Sequence, residues 1–424
     1  MKKWVSFVLI SILIFAGCQS PTSENDLPNP SNVEYEVYEA SYTPAHTTEE
    51  VRQLINEQPL SQDSIAAIRQ FAIKSSPLLL SGQENDNYSP ISLYIALAMA
   101  ATGSEGETAE QVYQALGRPV DKDGLAEELA KVIERMNIET DSGRIRSVNS
   151  IWNQESFPFK DDYIQRLTEQ FQASLFEVDF TDAGTGPLMS QWASDMTEGL
   201  IKPVFDDTSD YVSVLFNALY FKESWRTPFN AEQTTADTFR GVSGDSQKDF
   251  LHAYNEARYI NRDGVEGVIL PFEVSNMIFL KKSGANPIDI LKDHDLEDLI
   301  DSAGFALVDL TLPKFSYDNE YDLIDMLKAI GVVDLFDENL ADLSGVSEVD
   351  LYVSSAKQQS FIGLDENGVE AAAVTSMMEP TSAPVEQVEL RLDEPFLFII
   401  QSQEGLPLFI GTLTDLSTVI NEPG

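Results

Sequence analysis

The stretch VSVLFNALYF, Val212 to Phe221, decides the fold. It is almost wholly apolar and rich in residues that favour strands, a pattern typical of a central strand covered on both faces. Asn217 interrupts the apolar run. Because a buried amide left without hydrogen bonds costs about 1–3 kcal/mol, we expect Asn217 to find partners inside the protein.

The sequence before this strand predicts helices. Apolar residues recur on one helical face over residues 61–76, which indicates an amphipathic helix. Ser89-Pro90 suits the start of a second helix, and residues 91–101 are apolar nearly all round, so this helix should be buried. Residues 108–111 have the spacing of a capping box, which predicts the start of a third helix.

The sequence after the strand predicts further strands. Apolar and charged residues alternate over residues 388–393, as in a half-buried strand. Two apolar runs, residues 396–400 and 408–410, flank a turn containing Glu404-Gly405 and predict a buried hairpin. Helices followed by a mixture with long strands predict the α+β class.

The first residues are typical of an export signal. Lys2 and Lys3 precede an apolar stretch, residues 5–16, which is shorter than the roughly 20 residues that span a bilayer. The tetrapeptide FAGC at 15–18 resembles the lipobox of bacterial lipoproteins, although Leu is more usual in its first position. The resemblance implies removal of residues 1–17 and a lipid on Cys18, the only cysteine; an ordinary signal peptide with an incidental cysteine is the alternative.

Residues 18–60 are predicted to be a flexible tether, because they are rich in Ser, Pro, Asn, Thr and Glu. Residues 61–424 contain no second boundary of this kind and no repeat, so we predict one large domain. The formal charge is −43, from 27 Lys and Arg against 70 Asp and Glu. This excess of negative charge argues against nucleic acid as a partner, since binding its phosphates requires Lys and Arg side chains.

Seven segments in the same order resemble the serpin family of serine-protease inhibitors, over residues 61–417. The most specific is NALYFK at 217–222, followed by Trp225 and Pro228-Phe229. The others are NYSPIS at 87–92, GSEGET at 103–108, LPKF at 312–315, DLSG at 342–345, ENGVEAAA at 366–373, and PFLF at 395–398 with PLFIG at 407–411.

The resemblance implies the serpin fold, with a large mixed central sheet, additional sheets, surrounding helices and an exposed reactive-centre loop at about residues 366–387. It implies an irreversible suicide substrate: a target serine protease cuts the loop, becomes held as a covalent acyl complex, and the cut loop inserts into the central sheet. We expect a monomer. A non-inhibitory serpin-fold carrier or chaperone is the alternative function.

The hinge implied by the resemblance comprises Glu366, Gly368, Val369, Glu370, Ala371, Ala372, Ala373 and Thr375. Alternate residues of a strand share a face, so Val369 and every second residue to Thr375 point one way, and Glu370 points the other. The first set is small and uncharged, as insertion requires, and Gly368 supplies a flexible pivot. Out of context, the run EAAA has high helix propensity, so a plain helix is the alternative.

The reactive bond falls at Ser382–Ala383 by the family's usual spacing from Glu366. Counting back from Pro395 gives Pro384, so the bond lies within residues 381–384. Small residues there suit the pockets of elastase-like or subtilisin-like proteases. They exclude trypsin-like proteases, which require Arg or Lys at the bond they cut. Met377-Met378 is the second choice.

Four further residues are implied to support insertion, namely Trp192, Asn217, Lys314 and Gln358. We expect Trp192 under the point where the loop enters, Lys314 paired with Glu366, and Asn217 as a latch between strands. Gln358 stands where the family usually has His, and it can still bridge two strands by hydrogen bonds. Ordinary core packing is the alternative for Trp192, and an exposed ion pair worth under about 1 kcal/mol is the alternative for Lys314.

The sequence contains no motif for catalysis, a cofactor or a metal. Only His46, His252 and His294 are present, and there is no G-x-S-x-G elbow, H-E-x-x-H or phosphate loop. We therefore predict a protein that is not an enzyme and needs no cofactor. Its expected location is outside the cytoplasm, lipid-anchored in the cell envelope at the outer membrane or cell surface, because Gln19 is not the Asp that often retains lipoproteins at the inner membrane.

Overall fold

The computed structural model of the chain describes residues 33–40, 44–199, 205, 207–369 and 386–417. The helices are α1 (Thr48–Glu57), α2 (Gln62–Leu79), α3 (Pro90–Gly103), α4 (Gly106–Ala115), α5 (Lys122–Arg135), α6 (Asp161–Gln170), α7 (Thr185–Met196), α8 (Asp289–Asp293), α9 (Leu296–Asp301) and α10 (Ile324–Ala329). The strands are β1 (Tyr35–Tyr38), β2 (Asp86–Tyr88), β3 (Asn137–Thr140), β4 (Gly143–Gln154), β5 (Ala173–Val178), β6 (Ser213–Ser224), β7 (Thr235–Gly241), β8 (Gly244–Arg262), β9 (Val265–Pro271), β10 (Ser275–Lys281), β11 (Gly304–Pro313), β12 (Phe315–Asp322), β13 (Ser355–Leu364), β14 (Gly368–Val369), β15 (Glu386–Arg391), β16 (Phe396–Ser402) and β17 (Pro407–Leu413).

The strands form two sheets. The first sheet has eight strands in the order β1-β5-β4-β6-β14-β13-β12, with β3 paired to β4. The second has nine in the order β15-β11-β8-β9-β10-β16-β17-β2, with β7 paired to β8. Each combines parallel and antiparallel neighbours. The α+β class is confirmed, and the strand predicted over residues 212–221 is β6, inside the first sheet.

Helix α3 lies between the two sheets, in contact with β6 of the first and β17 of the second. Every one of its residues is buried, as the apolar run predicted. It also begins as predicted: the Ser89 hydroxyl accepts the N–H of Ser92 at 3.3 Å, and Pro90 takes the first helical position.

The capping box predicted at residues 108–111 is wrong. Helix α4 begins two residues earlier, at Gly106, and its N-cap residue Glu105 makes no side-chain capping bond. The Thr108 hydroxyl instead donates to the carbonyl oxygen of Leu340 at 3.4 Å. The Thr108 hydroxyl therefore forms a tertiary hydrogen bond instead of capping the start of the helix, as the local spacing predicted.

The prediction of a flexible tether over residues 18–60 is wrong for two segments. Strand β1 pairs antiparallel with β5 as an edge of the first sheet, and α1, capped by Thr47, buries Val51 in the core. Both elements are short and gain their stability from tertiary partners, which composition does not register. The folded part thus begins before residue 61. In the part of the chain that the structure describes, no helix is both long enough and apolar enough to cross a bilayer.

Candidate functional site

The first sheet contains an opening between β6 and β13. These strands run parallel and pair over four residues, from Val214↔Ser355 to Asn217↔Gln358. Beyond this point they part, and within the described residues nothing pairs 218–222 of β6 with 359–363 of β13. Among the described residues, two strand edges of five residues each therefore face each other across the opening.

Strand β14 occupies the far end of this opening. Gly368 and Val369 pair antiparallel with Ser224 and Glu223 of β6, while Val369 also pairs with Leu364 of β13. The Val369 side chain is buried in the main hydrophobic core. The resemblance implied an exposed loop at about residues 366–387, and Gly368 and Val369 instead lie within the sheet. They have entered because burying Val369 and pairing both strand edges is favourable.

Gly368 is required by a close approach of two backbones. It has a positive φ of 154°, and a Cβ built on it would lie 2.1 Å from the carbonyl oxygen of Glu223. Any side chain would force β14 away from β6. The glycine that the sequence suggested as a pivot therefore also lets the strand enter.

A tight turn presents β14 to the opening. The Asp365 carboxylate accepts the backbone N–H groups of Asn367 at 2.7 Å and Gly368 at 3.2 Å. The buried Trp225 holds the turn: its backbone N–H donates to the carbonyl of Asn367 at 2.8 Å, and its indole N–H donates to the carbonyl of Asp365 at 3.0 Å. The turn is thus fixed before the chain enters the sheet.

An ion pair secures the same turn, as the sequence predicted. Lys314 Nζ lies 2.9 Å from a Glu366 carboxylate oxygen, and the Thr234 hydroxyl donates to the other oxygen at 2.7 Å. Burial opposes the charged form of Glu366, but these two hydrogen bonds more than offset it and lower the pKa of Glu366 below its ordinary value. The pair is partly buried, so the alternative of a fully exposed pair is wrong.

A buried carboxyl group lies beside the inserted hinge. Glu223 pairs in register with Val369 and accepts the backbone N–H of Val274 at 2.5 Å and the hydroxyl of Ser275. Burial is the main cause that raises the pKa of Glu223 to about 7, and the charge of Glu273 adds to the rise. Sequence analysis missed Glu223, although a carboxylate directly after an apolar strand was visible.

Two buried amides lie at the closed end of the opening. Asn217 donates to the side-chain oxygen of Asn149 on the neighbouring strand β4, but its own oxygen has no partner among the described residues. Gln358 bonds the backbone of Ser89 twice: it accepts the N–H at 2.9 Å and donates to the carbonyl at 3.0 Å. The expected bridge between two strands is therefore a bridge from β13 to the start of α3.

These features agree with comparison to known proteins. The family profile described as Serpin (serine protease inhibitor) matches residues 66–416. The chain belongs to the serpin family. Serpins are mostly protease inhibitors rather than enzymes, and some are non-inhibitory.

Similar serpins come from distant organisms. An uncharacterized serpin-like protein of Thermococcus kodakarensis is 28% identical, covering 97% of this chain and 99% of its own length. Serpin B10 of Sorex araneus is 30% identical over 80% of this chain and 96% of its own. The crystal structure of the thermophilic serpin tengpin in its native state has a TM-score of 0.77 and 27% identity, covering 89% of this chain and 97% of tengpin.

The expected position of Trp192 is wrong for this serpin. Trp192 lies on α7, and its ring packs edge-on against Trp152, Phe176 and Phe216 of the first sheet. Phe216 is seven residues along β6 from Glu223, or roughly 23 Å at strand spacing, so Trp192 does not lie where the loop enters. Trp225 occupies that place. The alternative of core packing holds for Trp192.

Other predicted site residues of this serpin lie outside the described residues. They are Cys18, Glu370, Ala371, Ala372, Ala373, Thr375, Ser382 and Ala383. The structure thus brings together Glu366, Gly368, Val369 and Lys314 at one end of the opening, with Asn217 and Gln358 at the other.

Replacing Glu223 should change how the stability of the intact serpin depends on pH. The ordinary pKa is 4.5 and the folded value is about 7, so the folded form retains a proton that the unfolded chain releases. The stabilisation is therefore full below about pH 4.5 and is lost as pH rises through 7, by up to about 3 kcal/mol. Glu223→Gln should reduce the fall in melting temperature between pH 5 and pH 8.

The matched control is the exposed Glu232→Gln, which should keep the wild-type pH dependence. Melting is followed by circular dichroism for all three proteins. A Glu223→Gln protein with the full wild-type fall would show that Glu223 does not titrate in this range.

Proposed function

We propose that this serpin is an irreversible inhibitor of a serine protease and that the opening between β6 and β13 receives the cut loop. The observation that carries the proposal is β14, which already lies at the mouth of the opening and is antiparallel to both strands. A segment that continues from Val369 would run between residues 218–222 of β6 and 359–363 of β13, which do not pair with each other within the described residues. Strand addition of this kind is a known mode of serpin loop insertion.

The register of β14 predicts where each inserted residue would lie. Since Val369 pairs with Glu223, continuation places Glu370 opposite Lys222 and Ala371 opposite Phe221. On the β13 side, Ala371 would face Ile362. Alternate residues from Val369 to Thr375 would then line the core, where only small side chains fit, and the charged Glu370 would meet the cation of Lys222 on the opposite face.

The free energy of insertion is sufficient to damage a bound protease. About ten inserted residues would add hydrogen bonds worth about 1 kcal/mol each, before apolar burial is counted. A protease domain is stable by only about 5–15 kcal/mol. A protease still joined to the moving loop can therefore be distorted before it completes its reaction.

The covalent link is ordinary acyl transfer. The hydroxyl oxygen of the protease serine attacks the carbonyl carbon of Ser382, and the amine of Ala383 leaves with a proton. The chain then holds the protease as an ester at Ser382. Small residues in 381–384 favour an elastase-like or subtilisin-like target.

Mass spectrometry of the peptide released by a panel of such proteases tests which bond is cut. We expect a peptide released by cleavage between Ser382 and Ala383, and cleavage after Met377 or Met378 would contradict this assignment.

Val369→Arg should abolish inhibition in the full-length protein. Its side chain would carry a charge into the core beside Leu364, and burial of an unpaired charge is strongly unfavourable. We expect at least a tenfold drop in the SDS-resistant complex formed with an elastase-like protease, with cleavage of the loop continuing. The measurement is gel densitometry at equal molar ratios.

Glu370→Gln is the matched control, because this position would face away from the core; its complex should form at close to the wild-type yield. An undiminished complex in Val369→Arg would show that the hinge does not insert. Absence of complex in the wild type, with the loop cleaved, would favour a non-inhibitory carrier.

We infer that the chain is exported and anchored by a lipid on Cys18, outside the cytoplasm. Support comes from the charged start, the apolar stretch and the lipobox-like FAGC sequence. Cys18→Ser should move the protein from the membrane fraction to the soluble fraction of the exporting cell, as judged by immunoblot. The lipid is absent if the wild-type protein is equally soluble.

A further inference from the structure

Two aromatic side chains are left exposed on the second sheet. Phe305 on β11 is 70% exposed and Tyr254 on β8 is 56% exposed. They are the most exposed aromatic residues in the described part of the chain. Neither is needed for the core, and an exposed aromatic ring exposes apolar surface to water.

The register places both rings on one face. Antiparallel pairing sets Asp309 opposite Tyr254, and Phe305 lies four residues before Asp309 on the same strand. Residues two and four apart share a face, so the aromatic rings and the half-buried Leu307 between them form one surface. We call this surface, formed by Phe305, Leu307 and Tyr254, the loop-base patch.

Carboxylates surround the loop-base patch. Glu256 pairs with Leu307, and on the parallel neighbour β15 Glu389 pairs with Asp309. All three acidic residues are exposed. Two cations lie on the same face: Arg258, opposite Phe305, donates to the carbonyl of Ile300 at 3.0 Å, and Arg391, two residues beyond Glu389 on β15, is paired with Asp237 and Asp393. The patch therefore combines apolar anchors with negative charge.

The chain places this patch at the C-terminal base of the reactive loop. Strand β15 begins at Glu386, where the chain re-enters the described structure, and Glu386 pairs with Ala306, the neighbour of Phe305. Two residues, Pro384 and Val385, lie between Ala383 and Glu386, and these three residue steps span at most about 11 Å. A protease domain of about 230 residues has a radius of gyration of about 17 Å, so one holding the 382–383 bond would extend over Phe305.

We propose that the loop-base patch binds the target protease outside its active site. The surface that it contacts on the protease lies near the substrate cleft and carries basic and apolar side chains. This inference rests on the proposed function and adds the partner's chemistry. Rigid aromatic anchors supply most of the binding energy of such surfaces, and the carboxylates accelerate encounter with a cationic partner. The loop then supplies the cut site, and the patch selects among proteases that accept the same small residues.

The test compares full-length variants against an elastase-like protease that forms the complex. Phe305→Ala/Tyr254→Ala should lower the second-order rate constant of inhibition about tenfold, with the stoichiometry of inhibition unchanged. Affinity for the same protease with its active-site serine replaced by alanine should weaken by a similar factor. Leu340→Ala, which removes an apolar side chain as exposed as Tyr254 from outside this sheet, should change neither quantity.

A second pair of variants tests the charge. Glu256→Gln/Glu389→Gln should slow inhibition severalfold at low salt, and the difference should vanish at about 1 M salt, where screening is nearly complete. Because both positions are exposed, folding is retained.

The other possible results distinguish a failure of the proposed function from a failure of the docking proposal. No complex with the wild-type protein refutes the proposed function itself. A wild-type complex with unchanged rates and affinity in the aromatic variant refutes the patch alone. A raised stoichiometry with unchanged affinity for the inactive protease would mean that these residues act on the loop, which also overturns docking.

Discussion

Strands β6 and β13 share backbone pairing over only four residues before they diverge. Beyond them, residues 218–222 of β6 and 359–363 of β13 do not pair with each other within the described residues. Two neighbouring strands that do not pair with each other can accept another strand between them. The rest of the site depends on this incomplete sheet, because the described hinge residues lie at the end of the opening where a new strand would enter.

Access is controlled at both ends by polar groups. At the entry, Trp225 and the Lys314–Glu366 pair fix the turn that delivers Gly368 and Val369 into the sheet. At the closed end, Asn217 donates to Asn149, and its own side-chain oxygen has no partner among the described residues. The entry is thus held by several hydrogen bonds, and the closed end by four paired residues of β6 and β13 and by the two bonds from Gln358 to Ser89.

Part of this arrangement could be predicted from the sequence, because it depends on local patterns. The apolar run 212–221 predicted β6, and Ser89-Pro90 predicted the start of α3, because both signals are carried by side-chain type and spacing. The pairing of Lys314 with Glu366 was implied by the family resemblance alone. The two-residue insertion of β14 could not be predicted, since it depends on how far β6 and β13 diverge in three dimensions.

The wrong predictions share the same origin. The resemblance placed Trp192 where the loop enters, and sequence alone does not say that Trp225 contacts the turn instead. Gln358 bonds Ser89, a partner 269 residues away in the chain. The segment containing β1 and α1 has the composition of a linker, yet the edge of β5 supplies hydrogen bonds that β1 could not make alone.

The structure of the protein after cleavage of its loop tests the central claim most directly. The account predicts that a crystal of the cleaved form shows a new strand running from Gly368 between β6 and β13, with residues 218–222 and 359–363 paired to it. A cleaved molecule in which the two strands keep their present separation, with the loop still outside the sheet, would contradict the account.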